Sequence, residues 1–211
     1  MTRAVFIDAL GTMVRLDPPW ERVDPEAVAG VDPAVLRGAF RAEMALYRDS
    51  AHTARDAASL AALRERCAEL IAERIGRPFP VATLMDAIRF EPYSDAPAAL
   101  RDLRESGLAL VCVSNWDCSL PEALERVGLG PMLDGVVTSA GAGARKPDPA
   151  IFAAALEIAG CGPSEALHVG DSDEDEVAAA AAGIAFLRID RDDGRAGSIA
   201  SLGEIVEHLR P

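Results

Sequence analysis

Apolar positions along the chain follow two rhythms. Short, mostly apolar runs at Ala4–Ile7, Leu108–Val113, Gly135–Thr138, Ala166–Val169 and Ala185–Ile189 have the length and composition of strands buried on both faces. Between and before them, apolar residues recur at the helical period. Asp32-Pro33 supplies an N-cap and a proline at the first helical position, launching a helix to about Asp49. Leu60, Leu63, Cys67, Leu70 and Ile71 form one stripe within a helix from Ala54 to Ile75, closed by Gly76 and stopped by Pro78. A shorter helix is expected at Ala82–Arg89. After Pro92 helices and strands alternate. Helices are expected at Ala96–Ser106, near Pro121–Val127, from Asp148-Pro149 to Gly160, across the alanine-rich run to Gly183, and near Ile199–Leu209.

Strands alternating with helices imply an α/β fold, a doubly wound parallel sheet covered on both faces. The helical block at 15–90 interrupts that rhythm after the first strand. It reads as an α-helical cap inserted into a core of residues 1–14 and 91–211. Its first stretch, 15–30, carries three prolines and mixed charge and reads as a linker.

Composition narrows the function classes. A net charge of −13 argues against a nucleic-acid partner, which demands clustered Lys and Arg. No apolar run approaches the ~20 residues that span a bilayer, and the first ten residues lack a signal-peptide pattern. Cys67, Cys112, Cys118 and Cys161 show no CxxC spacing and no accompanying histidine cluster, which favours reduced thiols over zinc or disulfides and a cytoplasmic location. Nothing in the pattern specifies an oligomeric state. An acidic protein that handles an anionic substrate needs local cations.

In open parallel sheets, ligands bind beyond the carboxyl ends of the strands. The first strand here ends at Asp8, followed by Ala9-Leu10-Gly11-Thr12. A carboxylate in that place can act as a nucleophile, and the amides of Gly11 and Thr12 and the Thr12 hydroxyl can face an oxyanion. Another strand ends in Ser114-Asn115-Trp116-Asp117, where a hydroxyl can donate to a phosphoryl oxygen. Lys146 stands just before the cap at Asp148. A third strand runs into Gly170-Asp171-Ser172-Asp173-Glu174-Asp175-Glu176, where carboxylates beside a further carboxylate call for a cation, and Mg2+ prefers oxygen ligands. Taken singly, each has a plainer reading. Asp8 is then a turn residue, Lys146 a solvated charge, and the acidic run a first helical turn favoured by the helix dipole.

The ordered set of FIDALGTM (Phe6–Met13), VSNWD (Val113–Asp117), ARKPDPAIF (Ala144–Phe152) and HVGDSDEDE (His168–Glu176) resembles the haloacid dehalogenase-like hydrolase superfamily, in its first subclass with a small helical cap. The resemblance implies a Rossmann-like core in which Asp8 is the nucleophile. Thr12 and Ser114 would hold the transferred group, with Lys146 stabilising its charge. It implies Mg2+ held by Asp8, the Leu10 carbonyl, Asp171 and a second acid four or five residues later. The candidates for that acid are Asp175 and Glu176, and the Val-Ala run that follows aligns better with Glu176. Gly11, Asn115 and Arg41 are candidates for substrate binding. Arg41 shares a helix face with Arg37 one turn before it, a face whose plainer reading is solvated surface.

One position departs from the family. Its phosphatases carry a second Asp, a general acid and base, where this chain has Leu10. Such a group is typically worth ~10²–10⁴-fold. The expected activity is therefore a Mg2+-dependent phosphatase on a small phosphorylated metabolite, impaired on alkyl phosphates. The family's 2-haloacid dehalogenases also lack this Asp but work without a metal, so halide displacement is one alternative. A weakly active or inactive member that binds a ligand or a protein is another. Asp117 is a candidate substitute proton donor. His168, inside a strand, reads as a satisfied core histidine.

Overall fold

The computed structural model describes residues 1–191 and 196–209. The chain runs β1 (Ala4–Ile7), β2 (Val14–Leu16), α1 (Pro19–Arg22), α2 (Pro33–Ser50), α3 (Ala57–Ile75), α4 (Val81–Ala87), β3 (Phe90–Pro92), α5 (Ala96–Glu105) and β4 (Ala109–Ser114). It continues through α6 (Leu120–Arg126), β5 (Gly135–Thr138), α7 (Ser139–Ala142), α8 (Phe152–Ala159), β6 (Ala166–Gly170), α9 (Asp173–Ala182), β7 (Ala185–Arg188) and α10 (Ile205–His208).

Five strands form one parallel sheet in the order β5-β4-β1-β6-β7. The chain winds outward from β1 through β4 to β5, then crosses to the other side of β1 for β6 and β7. The switch point therefore falls at the carboxyl end of β1, between the ends of β4 and β6. Alternate strand residues face opposite sides. Val5, Ile7, Leu110, Cys112, Leu167 and Val169 pack with Leu100, Leu103, Leu120 and Ile205 from α5, α6 and α10. Phe6, Val111, Val113 and Ala166 pack on the other face with Phe152, Ala155, Ala178 and Ala179 from α8 and α9. Both faces are covered, which accounts for continuous rather than alternating apolar strands.

The helices between β2 and β3 pack about a separate apolar cluster that includes Leu36, Phe40, Leu63, Cys67, Ile71 and Leu84. Asp32 caps α2 by accepting from the amides of Ala34 and Val35. Asp56 and Ser59 form a capping box at the start of α3, and Gly76 ends that helix in the left-handed conformation. The segments where the chain enters and leaves this helical unit pair as an antiparallel ribbon, β2 with β3. At three residues each, these strands are too short to show a period, and the sequence reading treated their surroundings as linker and helix end. The reading also made two helices too long. Residues 149–151 form a 3-10 turn ahead of α8, and Ile199 bridges Ile189 because it is drawn into the sheet-side core. Among the described residues, no helix is long and apolar enough to cross a membrane.

Phe40 is fully buried and meets the Phe79 ring edge-on at 5.9 Å between centroids. Phe40→Ala is expected to cost about 3–5 kcal/mol, read as a fall in the urea unfolding midpoint.

Candidate active site

The loop after β1 is tied down by its own backbone. The amides of Thr12, Met13 and Val14 all donate to the Ala9 carbonyl, and the Gly11 amide donates to Val14. This overturns the expectation that the Gly11 and Thr12 amides face an oxyanion: both are used in closing the turn. The amides of Ala9 and Leu10 take no part in these bonds. Gly11 has a φ of 84°, and a Cβ there would lie 2.3 Å from Asp171 Oδ2. Glycine at this position therefore permits both the turn and the approach of the two loops.

Asp8 follows β1 directly, and its amide donates to the Val169 carbonyl of β6. Asp8 is 6% exposed, and its side chain meets Lys146, which is 2% exposed. Lys146 Nζ donates to Asp8 Oδ1 at 2.6 Å, to the Val113 carbonyl at 2.9 Å and to Asp175 Oδ1 at 2.5 Å. Burial alone would lower the lysine, but Asp8 and Asp175 more than offset it and hold the ammonium charged. Burial raises the Asp8 carboxyl against the pull of Lys146, and Asp175 adds to the rise. Burial likewise raises Asp171, with Asp175 contributing. Asp175 goes the other way. Against the effect of burial, Lys146 and His168 hold it below the usual carboxylate range.

Asp175 is also the third residue of α9, in a capping box with Ser172. Its Oδ2 accepts from the Ser172 amide and hydroxyl, and its Oδ1 is 2.8 Å from His168 Nε2. His168 is buried by the rings of Phe152 and Phe186, and burial lowers its pKa. The residue that reaches the site is thus Asp175, and the sequence reading that favoured Glu176 is corrected. One position later on the helix is a rotation of roughly 100°. Glu176 accordingly points outward and pairs with Arg188 at 2.7 Å. The capping-box spacing of Ser172 to Asp175 was the signal for an inward-facing Asp175.

Other expected residues take different places. Asn115 lines the cavity, yet its Oδ1 accepts from the Lys146 amide and its Nδ2 donates to the Lys146 carbonyl. It is a clamp on the lysine loop more than a free substrate ligand. Ser114 is buried at the end of β4 and lines the cavity. The Thr12 hydroxyl is buried, has no hydrogen-bond partner among the described residues, and does not line the cavity. Arg41 is exposed and away from the cavity because it lies off the packed face of α2; Arg48 and Arg64 line the cavity instead. Asp117 accepts from Tyr47 Oη at 2.7 Å and from the Ser119 amide, so both its oxygens serve as acceptors, not as a proton donor.

The carboxylates of Asp8, Asp171 and Asp175 can bring one oxygen each within 4.8 Å of one another. Lys146 pairs with two of these carboxylates, Asp8 and Asp175, and the third, Asp171, leaves an excess of negative charge that a hard divalent cation would balance with oxygen ligands alone. Above them lies a cavity of about 480 Å³, with α2 and α4 on its far side.

The fold is an α/β one, an open parallel sheet with a buried carboxylate–ammonium pair at its switch point. The chain belongs to the haloacid dehalogenase-like hydrolase family, whose model matches residues 2–183. It is 49% identical to the bovine (Bos taurus) haloacid dehalogenase-like hydrolase domain-containing protein 3 over 77 residues, 36% of this chain and only 31% of that protein's length. It is 30% identical to the glyceraldehyde 3-phosphate phosphatase of Methanopyrus kandleri over 210 residues, 90% of this chain and 85% of that one. The L-2-haloacid dehalogenase of Xanthobacter autotrophicus superposes with a TM-score of 0.75 over the whole of both chains at 22% identity, a likeness of fold.

Lys146→Met would leave Asp8 and Asp175 buried without their cation, and is expected to lower stability by roughly 3–5 kcal/mol at neutral pH. The unpaired carboxyls would then titrate above their unfolded values and bind protons more readily in the folded state. The deficit relative to the parent should therefore shrink as pH falls, which urea titrations at several pH values would measure.

Proposed function

We propose that the chain is a phosphomonoester hydrolase that works through a covalent intermediate on Asp8. The observation that carries this reading is the Asp8–Lys146 contact of 2.6 Å at the carboxyl edge of the central strand, beneath an open cavity. An Asp8 carboxylate oxygen attacks phosphorus, and the bond to the ester oxygen breaks with its electron pair leaving on that oxygen. Lys146 keeps Asp8 ionised and offsets the charge that collects on the phosphoryl oxygens. Ser114, which lines the cavity beside Asp8, donates to one of those oxygens. Water then attacks the aspartyl phosphate and restores Asp8. Asp8 and Asp171, with Asp175 closing the cluster, would hold Mg2+. When bound, Mg2+ would balance the carboxylates and polarise a phosphoryl oxygen. The helical unit would serve as the cap that closes over a small phosphorylated substrate.

Leu10 shapes the substrate range. Its side chain lines the cavity and packs with the sheet-side core, and it supplies no proton to a departing alkoxide. Esters and anhydrides whose leaving groups are stable anions should therefore turn over best. The phosphatase relatives support phosphoryl transfer. Leu10 also favours a second reading, displacement of halide from a 2-haloacid, since halide leaves without a proton.

The test is release of phosphate from an aryl phosphate and from acetyl phosphate, with Mg2+ and with chelator. Turnover is expected with Mg2+ only and lost in Asp8→Asn; activity retained in that variant would overturn the nucleophile. Halide release from a 2-chloroacid in chelator would instead establish the second reading. In the same assay Asp175→Asn should abolish turnover, while Glu176→Gln, which loses only an exposed ion pair, should stay within about twofold. Leu10→Asp is expected to raise turnover of alkyl phosphates on the order of tenfold or more.

A further inference from the structure

The far side of the cavity has its own chemistry. Met44, Leu84, Met85, Phe90 and Trp116 line it with apolar surface, and Glu43 is set among them. Glu43 lies on the packed face of α2, in step with Leu36, Ala39 and Phe40. It is only 4% exposed. The Cys67 thiol lies against it, and burial raises the Glu43 carboxyl. It forms no ion pair among the described residues; Arg48 and Arg64, which also line the cavity, do not reach it.

The other acidic groups in the wall are accounted for. Asp117 takes Tyr47 and Ser119, and Glu174 takes Asn115 and Arg145. Asp8, Asp171 and Asp175 belong to the phosphoryl end. Among the described residues, Glu43 is the one buried carboxyl facing the cavity with no cation and no amide or hydroxyl donor. Such a group weakens the fold, since an apolar residue of similar size would pack in its place without a desolvation penalty.

We infer that Glu43 reads the substrate's leaving-group side, selecting an apolar body that carries a hydrogen-bond donor, an ammonium or a hydroxyl. When Glu43 is ionised, an acceptor such as a carboxylate or carbonyl is disfavoured there, because it would face the Glu43 oxygens unpaired. This rests on the reading that the Asp8–Lys146 end takes the anionic head. It adds what the rest of the molecule looks like: a phosphorylated amino- or hydroxy-substituted apolar compound, not a polyanion.

The test is calorimetric binding, with Mg2+, of three non-hydrolysable series of increasing chain length: alkylphosphonates, ω-hydroxyalkylphosphonates and ω-aminoalkylphosphonates. At the best-fitting length, the donor-bearing probe should bind the parent protein about 10- to 100-fold more tightly than the plain alkyl probe. Glu43→Leu should erase that preference while leaving plain alkylphosphonate binding intact and the thermal unfolding midpoint equal to or above the parent's. Glu43→Gln separates the two donors. An ammonium preference disappears because the charge is gone, whereas a hydroxyl preference persists on the amide carbonyl. Equal binding of the three series by the parent, or a ranking that survives Glu43→Leu, overturns the inference. A lowered midpoint in Glu43→Leu with an unchanged ranking would do the same and make Glu43 structural. If plain alkylphosphonate fails to bind at all, the phosphatase reading fails by itself. Alkylamines of the same lengths then decide the matter, since Glu43-dependent binding upholds this inference and its absence overturns it.

Discussion

The site depends on one buried ammonium. Lys146 Nζ bonds Asp8 after β1, the Val113 carbonyl in β4 and Asp175 at the start of α9, and so links three segments far apart in sequence. Each partner justifies the others. The carboxylates keep the lysine charged where burial would discharge it, and the lysine lets two carboxylates sit close together out of water. Asn115 fixes the lysine from the side through its main chain, and His168 holds Asp175 from below.

Sheet order explains why these groups meet. With β1 central and its neighbours reached by crossovers in opposite directions, the loops after β1, β4 and β6 diverge and leave a crevice. Gly11 lets the first of these loops come within contact of Asp171, and the capping box of α9 turns Asp175 inward. Ordinary helix-starting chemistry thus doubles as site construction. The Ser172–Asp175 pair that satisfies the helix N-terminus also decides which acid faces Asp8.

Polarity divides the cavity. Its floor is ionic and strongly hydrogen-bonded, whereas the helical side is apolar apart from Glu43, Tyr47 and the two arginines. Leu10 belongs to the apolar side in character although it stands on the floor. Leucine in that place extends the apolar wall of the pocket down to Asp8. The Tyr47–Asp117 hydrogen bond joins the two halves across the cavity.

Much of this was written in the chain. Mostly apolar strands spaced by helices specify a sheet covered on both faces, and the placement of Asp8, Ser114, Lys146 and Asp171 after strands locates the crevice, because both patterns are local and periodic. Glu43 continues the stripe Leu36, Ala39 and Phe40 of α2, and helical period alone does not say whether such a face meets core or cavity. Three-dimensional packing decided the rest. Asp175 and Glu176 are adjacent acids; the capping-box spacing from Ser172 marks the first of them, but the docking of α9 against β6 is what brings it to Lys146, and Arg188 holds the other outside. Arg41 and Arg48 both lie on α2, and only the docking of that helix puts Arg48 at the cavity. The short ribbon of β2 and β3 has too few residues for a period, so its pairing exists only once the two ends of the helical unit are brought together. Local sequence determines which elements form; which side chains converge depends on contacts between residues more than a hundred positions apart.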